Sequence, residues 1–175
     1  LREPEGFALL IGETGSGKTT LIYSLLAQPP DGVRIAYIKY PNVCFDEMLR
    51  FIAGELGIET AGAAKAELLA AIGIFVANLL PDQAVALIFD DAQHLSDAAL
   101  EELRLLSSLE PVGRQVLQIV LVGQPELIRR LRTSRLRALN ERILTRLILP
   151  PLGDVEVHEY VEHYLRAQGA TCRIF

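Results

Sequence analysis

The 175-residue chain is short of cysteine, carries no excess of positive charge and has no apolar stretch long enough to cross a bilayer. Its two cysteines, Cys44 and Cys172, lie far apart and fit no metal-ligand spacing, so they read as ordinary thiols of a reducing compartment. With a net charge of −5 and a pI of about 5.3, no global positive field draws the chain to nucleic acid or anionic lipid, which leaves only a local basic patch open. The longest apolar run, Leu68 to Leu80, is too short for a transmembrane helix and contains Asn78. Leu1-Arg2-Glu3-Pro4 is acidic and proline-broken, unlike a signal peptide. The missing initiator methionine is expected of a piece cut from a longer protein. Internal repeats and low-complexity tracts are also absent.

Apolar residues are abundant instead. They make up 50% of the chain, and the mean hydropathy is +0.28. The length suits one domain, or one domain and the beginning of another, with a single core. Either a sheet-rich core is well covered, or some apolar surface meets a partner.

Apolar runs alternate with amphipathic stretches, the pattern of a parallel α/β sheet. Strands are expected at Phe7–Ile11, Val33–Tyr40, Ala84–Phe89 and Val116–Val122. Helices are expected at Lys18–Ala27, Phe45–Leu56 with Gly57 as its cap, Lys65–Leu80, from Ser96 onward, and from Pro125 at a first helical position. In the Ser96 helix, Leu103, Leu105 and Leu106 are expected on the buried side. Seven arginines then crowd the stretch from Arg129 to Arg146, which ends in the apolar Leu147-Ile148-Leu149. Pro150-Pro151-Leu152-Gly153 reads as a hinge, and Asp154–Gln168 as one amphipathic helix. The expected division is an α/β domain over 1–150 and a further unit begun over 151–175.

Four constellations carry chemistry. Gly12-Glu13-Thr14-Gly15-Ser16-Gly17-Lys18-Thr19 is G-x-x-x-x-G-K-[ST], with Thr20 directly after it. Its glycines let successive N–H groups face one concavity, and the helix that follows adds its positive end. Lys18 is expected on the β- and γ-phosphates of ATP and the Thr19 hydroxyl on Mg²⁺. The bland alternative is a Gly-rich turn joining strand to helix. The second is Asp90-Asp91, at the end of an apolar strand where an unused charge is costly. Asp90 is expected to hold Mg²⁺ through its water shell and Asp91 to polarise the attacking water; otherwise the pair simply opens a solvated loop. The third is Gln124, at the tip of the next strand, either orienting water beside the γ-phosphate or capping the Pro125 helix. The fourth is the arginine cluster, for most of which a solvated helical face is the reading. Arg142, just before a final strand, is the first candidate for an arginine finger given to a neighbouring subunit, and Arg146 the second.

Weaker signals stay bland. His94 is read as shaping a loop, and His158 and His163 are five apart, which does not bring them to one helical face. Asn42 is a remote candidate for a contact to Asp91.

The stretches Gly6–Glu13, Asp91-Ala92-Gln93-His94-Leu95-Ser96, Leu100–Ser107 and Leu117–Leu127, above all Gln124-Pro125-Glu126-Leu127, resemble the ExeA/GspA-type secretion ATPases. These are AAA+ proteins of general secretion pathway component A and its relatives in pilus and exosortase loci. The likeness runs from about Gly6 to Gly169. It implies a parallel five-stranded sheet in 5-1-4-3-2 order followed by a helical lid, and ATP bound between subunits of a homo-oligomer. It further implies a cytoplasmic module of an inner-membrane-anchored bacterial protein that works with a membrane partner, component B; the acidity of the chain, not the resemblance, argues against nucleic acid as a partner.

Two departures stand out. The family usually has Asp-Glu where this chain has Asp90-Asp91, a side chain shorter by one carbon, about 1.5 Å. The arginine position reads Asn140-Glu141-Arg142 in place of a Gln-Arg pairing. The first departure, Asp91, motivates an ATP-dependent binding switch with little hydrolysis as one alternative. A DNA-associated AAA+ regulator of the transposition target-selection type is another.

Overall fold

A computed structural model describes residues 6–39, 41, 43–109 and 114–167. Asn42, Tyr40, Cys172 and the end of the chain from Gln168 lie outside them. Five strands, β1 (Phe7–Gly12), β2 (Val33–Ile38), β3 (Ala84–Phe89), β4 (Leu117–Gly123) and β5 (Ile143–Leu149), form one parallel sheet in the order β2-β3-β4-β1-β5. This is the expected 5-1-4-3-2 order read from the other edge. The helices are α1 (Lys18–Ala27), α2 (Phe45–Glu55), α3 (Lys65–Ala77), α4 (Asp97–Leu106), α5 (Pro125–Leu131), α6 (Arg137–Arg142) and α7 (Asp154–Ala167).

The inner strands β1, β3 and β4 are apolar on both sides because both of their sides are covered. Side chains alternate across a strand, so Phe7, Leu9 and Ile11 join Leu87, Phe89, Ile119 and Leu121 in the larger core. Residues of α2, α3, α4, α5 and α6 complete that core. Leu10, Ile88 and Val122 point the other way and meet Ile22 of α1 in a smaller cluster. Each such fully buried aliphatic or aromatic side chain is worth about 1.5–3 kcal/mol, so the sheet is held chiefly by this two-sided burial.

The expected elements appear, α1 and β3 with the expected bounds and others with ends moved by a residue or more. α3 stops at Ala77 instead of Leu80, where Asn78 breaks the pattern. α2 ends in a Schellman motif: Gly57 has φ 76°, its N–H donates to Gly54 O, and Ile58 N–H donates to Ala53 O. The expectation for Leu105 was wrong. Leu103 and Leu106 are buried, but Leu105 is 51% exposed, because two helical steps carry it to the far side of α4.

Part of the apolar composition is exposed. β5 forms one edge of the sheet, and its Leu144, Leu147 and Ile148 face outward. Among the described residues, no helix is long and apolar enough to cross a membrane.

The sheet fixes the site. Ile11 pairs with Gly123 and Phe89 with Leu121. The residues that follow, Gly12, Asp90 and Gln124, therefore emerge at one edge, the carboxyl ends of the strands, where ligands of open α/β sheets bind. β4 runs between β1 and β3, so the Gln124 tip stands between the glycine-rich loop and the acidic pair.

Candidate nucleotide site

The loop between β1 and α1 folds as a cradle because its glycines allow what other residues do not. Gly15 and Gly17 have φ of 82° and 87°, the left-handed region. A methyl group on Gly12 would stand 2.3 Å from Ser16 Oγ and 3.1 Å from Leu149 O, so only hydrogen fits. Ser16 N–H donates back to Glu13 O at 3.1 Å, closing the turn. The hydroxyl of Ser16 is buried and makes no hydrogen bond.

Lys18 is only 8% exposed. Its Nζ donates to Gly12 O and Glu13 O, both at 2.8 Å. Carbonyl oxygens thus stand where a stronger anionic acceptor would compete for the ammonium. Next to it, Thr19 Oγ1 donates to Asp90 Oδ2 at 2.9 Å. Asp90 is 2% exposed and also accepts the Tyr37 hydroxyl at 3.0 Å and the Asp91 N–H at 3.0 Å. Burial, followed by the Asp90 charge, pushes the Tyr37 phenol well above its ordinary range, so it stays a protonated donor. A hydroxyl beside a carboxylate is the oxygen donor set that a hard divalent cation takes. The residues present fit Mg²⁺ as well as a phosphate chain.

A cavity of about 530 Å³ opens on this loop. Residues 15–20 line it, including the exposed Thr20, together with Leu149, Leu152 and Tyr160 from the end of β5 and beyond. Tyr160 reaches it from α7, and no local signal in the sequence singles it out.

The water-activating candidates are joined differently. Asp91 has φ 51° and ψ 39° and opens a 3-10 turn over Ala92–His94. Its Oδ1 accepts Gln93 Nε2 at 2.9 Å, and Gln93 Oε1 accepts the Gln124 N–H at 3.2 Å. Gln124 occupies the N-cap position of α5, but its side chain makes no capping bond. Arg130 is not part of a solvated face: it donates to Gln93 O (2.7 Å), Leu95 O (2.7 Å) and Asp97 Oδ1 (2.6 Å), fastening the segment after the acidic pair. Tyr37, Gln93 and Arg130, like Tyr160 in the cavity, are residues to which motif reading gave no role in the site.

Arg142 lies elsewhere. It precedes Ile143, which pairs with the start of β1, whereas Gly12 pairs with Leu149. At about 3.3 Å per residue, some 20 Å of strand separates Arg142 from its own glycine-rich loop. Its Nη1 donates to Ser107 Oγ at 2.8 Å, to Arg104 O at 3.2 Å and to Ser108 Oγ at 3.3 Å, at the end of α4. Arg146 donates to Asn140 O (3.0 Å) and Oδ1 (2.9 Å).

A family model described as an AAA domain matches residues 1–131. The chain belongs to the AAA domain family. Beyond the family match, this AAA domain is 40% identical to general secretion pathway protein A of Aeromonas hydrophila, over all of this chain and 32% of that protein. It therefore spans about a third of that relative's length. Among solved structures, the ORC2 protein of Aeropyrum pernix in its ADPNP-ADP complexes superposes with a TM-score of 0.70 at 21% identity. That match covers 93% of this chain and 46% of the other. Drosophila ORC bound to DNA gives a TM-score of 0.69 at 16% identity, covering 93% and 42%. At these identities the likeness is one of fold alone, that of an AAA domain.

Proposed function

We propose that this AAA domain binds ATP and hydrolyses it with Mg²⁺, and that the cycle drives conformational change in a bacterial secretion or envelope-assembly complex. The observation that carries the reading is the glycine cradle closed by Lys18, with the Thr19–Asp90 hydroxyl–carboxylate pair beside it. Backbone N–H groups of Gly12–Thr19, with Thr20, hold the phosphates. Lys18 exchanges its two carbonyl acceptors for β- and γ-phosphate oxygens, a charge-assisted gain. Thr19 and Asp90 hold Mg²⁺, which supplies positive charge against the phosphates when bound. Leu149, Leu152 and Tyr160 form an apolar seat for the base. Asp91 polarises the attacking water and Gln124 orients it.

Arg142 serves as a finger for the site of a second copy, a role its distance from the loop of its own chain supports. The chain then works as a homo-oligomer with ATP between subunits. Residues 1–150 form the nucleotide-binding unit and 151–175 the start of a lid. The likeness to general secretion pathway protein A supports a cytoplasmic module of an inner-membrane-anchored protein, with a component B-like membrane partner. Turnover of Mg²⁺-ATP that collapses in Lys18→Ala is the expected result. Wild-type turnover in that variant would refute the assignment.

A DNA-associated regulator is the second reading, favoured by the exposed Arg129, Arg132, Arg135 and Arg137 and by the DNA-bound ORC relative. It requires DNA affinity whose logarithm falls linearly with log salt. No binding at low salt removes it. An ATP-dependent switch with little hydrolysis, motivated by the short Asp91, requires slow wild-type turnover that Asp91→Glu raises.

A further inference from the structure

Gln93 is half-buried on the turn after the acidic pair and does not line the phosphate cavity. Both ends of its amide are used at once, Nε2 toward the Asp91 carboxylate and Oε1 toward the Gln124 N–H. A primary amide suits this pair of partners, since one end only donates and the other only accepts. The reverse orientation would set oxygen against carboxylate and NH₂ against N–H, so the partners themselves assign it. Two more observations concern the same residue. Arg130 grips its backbone carbonyl at 2.7 Å. A methyl group on Gly123 would come within 2.9 Å of Gln93 Oε1 and 3.0 Å of Leu127 Cδ2, so the bare glycine makes room for the amide. Asp91 meanwhile is the only described non-glycine residue at positive φ, a conformation that persists where the surroundings hold it.

We propose that Gln93 is a positioning residue for hydrolysis: it fixes the direction of the Asp91 carboxylate and ties it to the tip of β4, so that Asp91 and Gln124 are aligned as one unit. The proposal rests on Asp91 as the group that polarises water. Gln93 itself touches neither phosphate nor metal ligands, so its loss lowers kcat and leaves ATP affinity in place.

Gln93→Glu keeps the acceptor for Gln124 and turns the donor into a second carboxylate against Asp91. Gly123→Ala presses on the same amide, and on Leu127, while keeping the Asp91 carboxylate and the Gln124 N–H as groups. Single-turnover rates at saturating Mg²⁺-ATP are measured at protein concentrations where specific activity no longer rises, beside the Kd of a fluorescent ATP analogue. Each variant is expected to lose about 10- to 100-fold in rate, the usual cost of an outer orienting partner, with Kd within about twofold. In an Asp91→Asn background the loss should vanish, because coupled residues are not additive. Hydrogen exchange at the Gln124 N–H should quicken in Gln93→Leu by about tenfold, the effect of roughly 1.4 kcal/mol, and stay as in wild type in Gln93→Glu. Full turnover in Gln93→Glu, an equal penalty in the Asp91→Asn background, or unchanged exchange in Gln93→Leu overturns the proposal. A wild-type chain that binds ATP without turnover, or an Asp91→Asn chain at full rate, overturns the hydrolytic reading itself and this role with it.

Discussion

The proposed phosphate side of the site and its proposed water side differ in how far along the chain their contacts reach. Lys18 closes its loop through carbonyls six and five residues away. Gln93 reaches 31 residues to Gln124, and Arg130 reaches 37 back to Gln93. The first side is a local shape that consecutive residues dictate through glycine conformations and a helix start. The second exists only once β3 and β4 lie side by side. Thr19–Asp90, spanning 71 residues, is the bond that joins them. Binding should therefore follow the local side and hydrolysis the assembled one.

The largest expected effect tests whether hydrolysis also needs a second copy. Arg142→Ala should slow turnover of the assembled protein by about 10³-fold or more, the usual worth of a finger, with ATP affinity unchanged. Mixing it with Lys18→Ala should recover activity, since each supplies what the other lacks. No recovery in the mixture would confine Arg142 to its bonds with the end of α4.

A smaller effect probes the glycine cradle and its seat against β5. Gly12→Ala drives a methyl group into Ser16 Oγ and Leu149 O. Overpacking of this kind costs about 1–3 kcal/mol, here from the cradle and from its contact with β5. Weaker ATP binding together with a lower Tm is expected; a variant that binds as wild type would break the shape argument.

The smallest effect concerns the joint. Tyr37→Phe removes one hydrogen bond to Asp90, worth about 1 kcal/mol. The sign with pH follows from the raised phenol: in the fold it keeps its proton above pH 10, where the unfolded chain begins to lose it. Wild-type stability should thus fall as pH rises beyond about 10, more steeply than in Tyr37→Phe. Parallel alkaline curves from denaturant unfolding would contradict this account of Tyr37.

The same local-versus-assembled distinction explains what the sequence made legible. Gly12–Thr19 was readable because each residue type answers a backbone demand at its own position, and the strand-end position of Asp90 followed from the apolar run before it. The sheet order came with the family resemblance, since periodicity finds strands and not their neighbours. Leu105 was misread because apolar character alone does not give the helical face. Arg130 was hidden among seven arginines of like composition, and nothing local distinguishes the one that grips a turn 33 to 37 residues back. Gln93 and Tyr160 were hidden for the same reason, since Gln93 reaches Gln124 on another segment and Tyr160 lines the cavity beside the distant glycine-rich loop.

The most direct test of the two-sided site is the ATP dissociation constant of Asp91→Asn measured beside that of Lys18→Ala, with turnover read on the same samples. The account predicts Asp91→Asn to bind within about twofold of wild type while its turnover falls, and Lys18→Ala to lose binding by about tenfold or more, the scale of one hydrogen bond to a charged group. Equal losses of affinity in the two variants would contradict it.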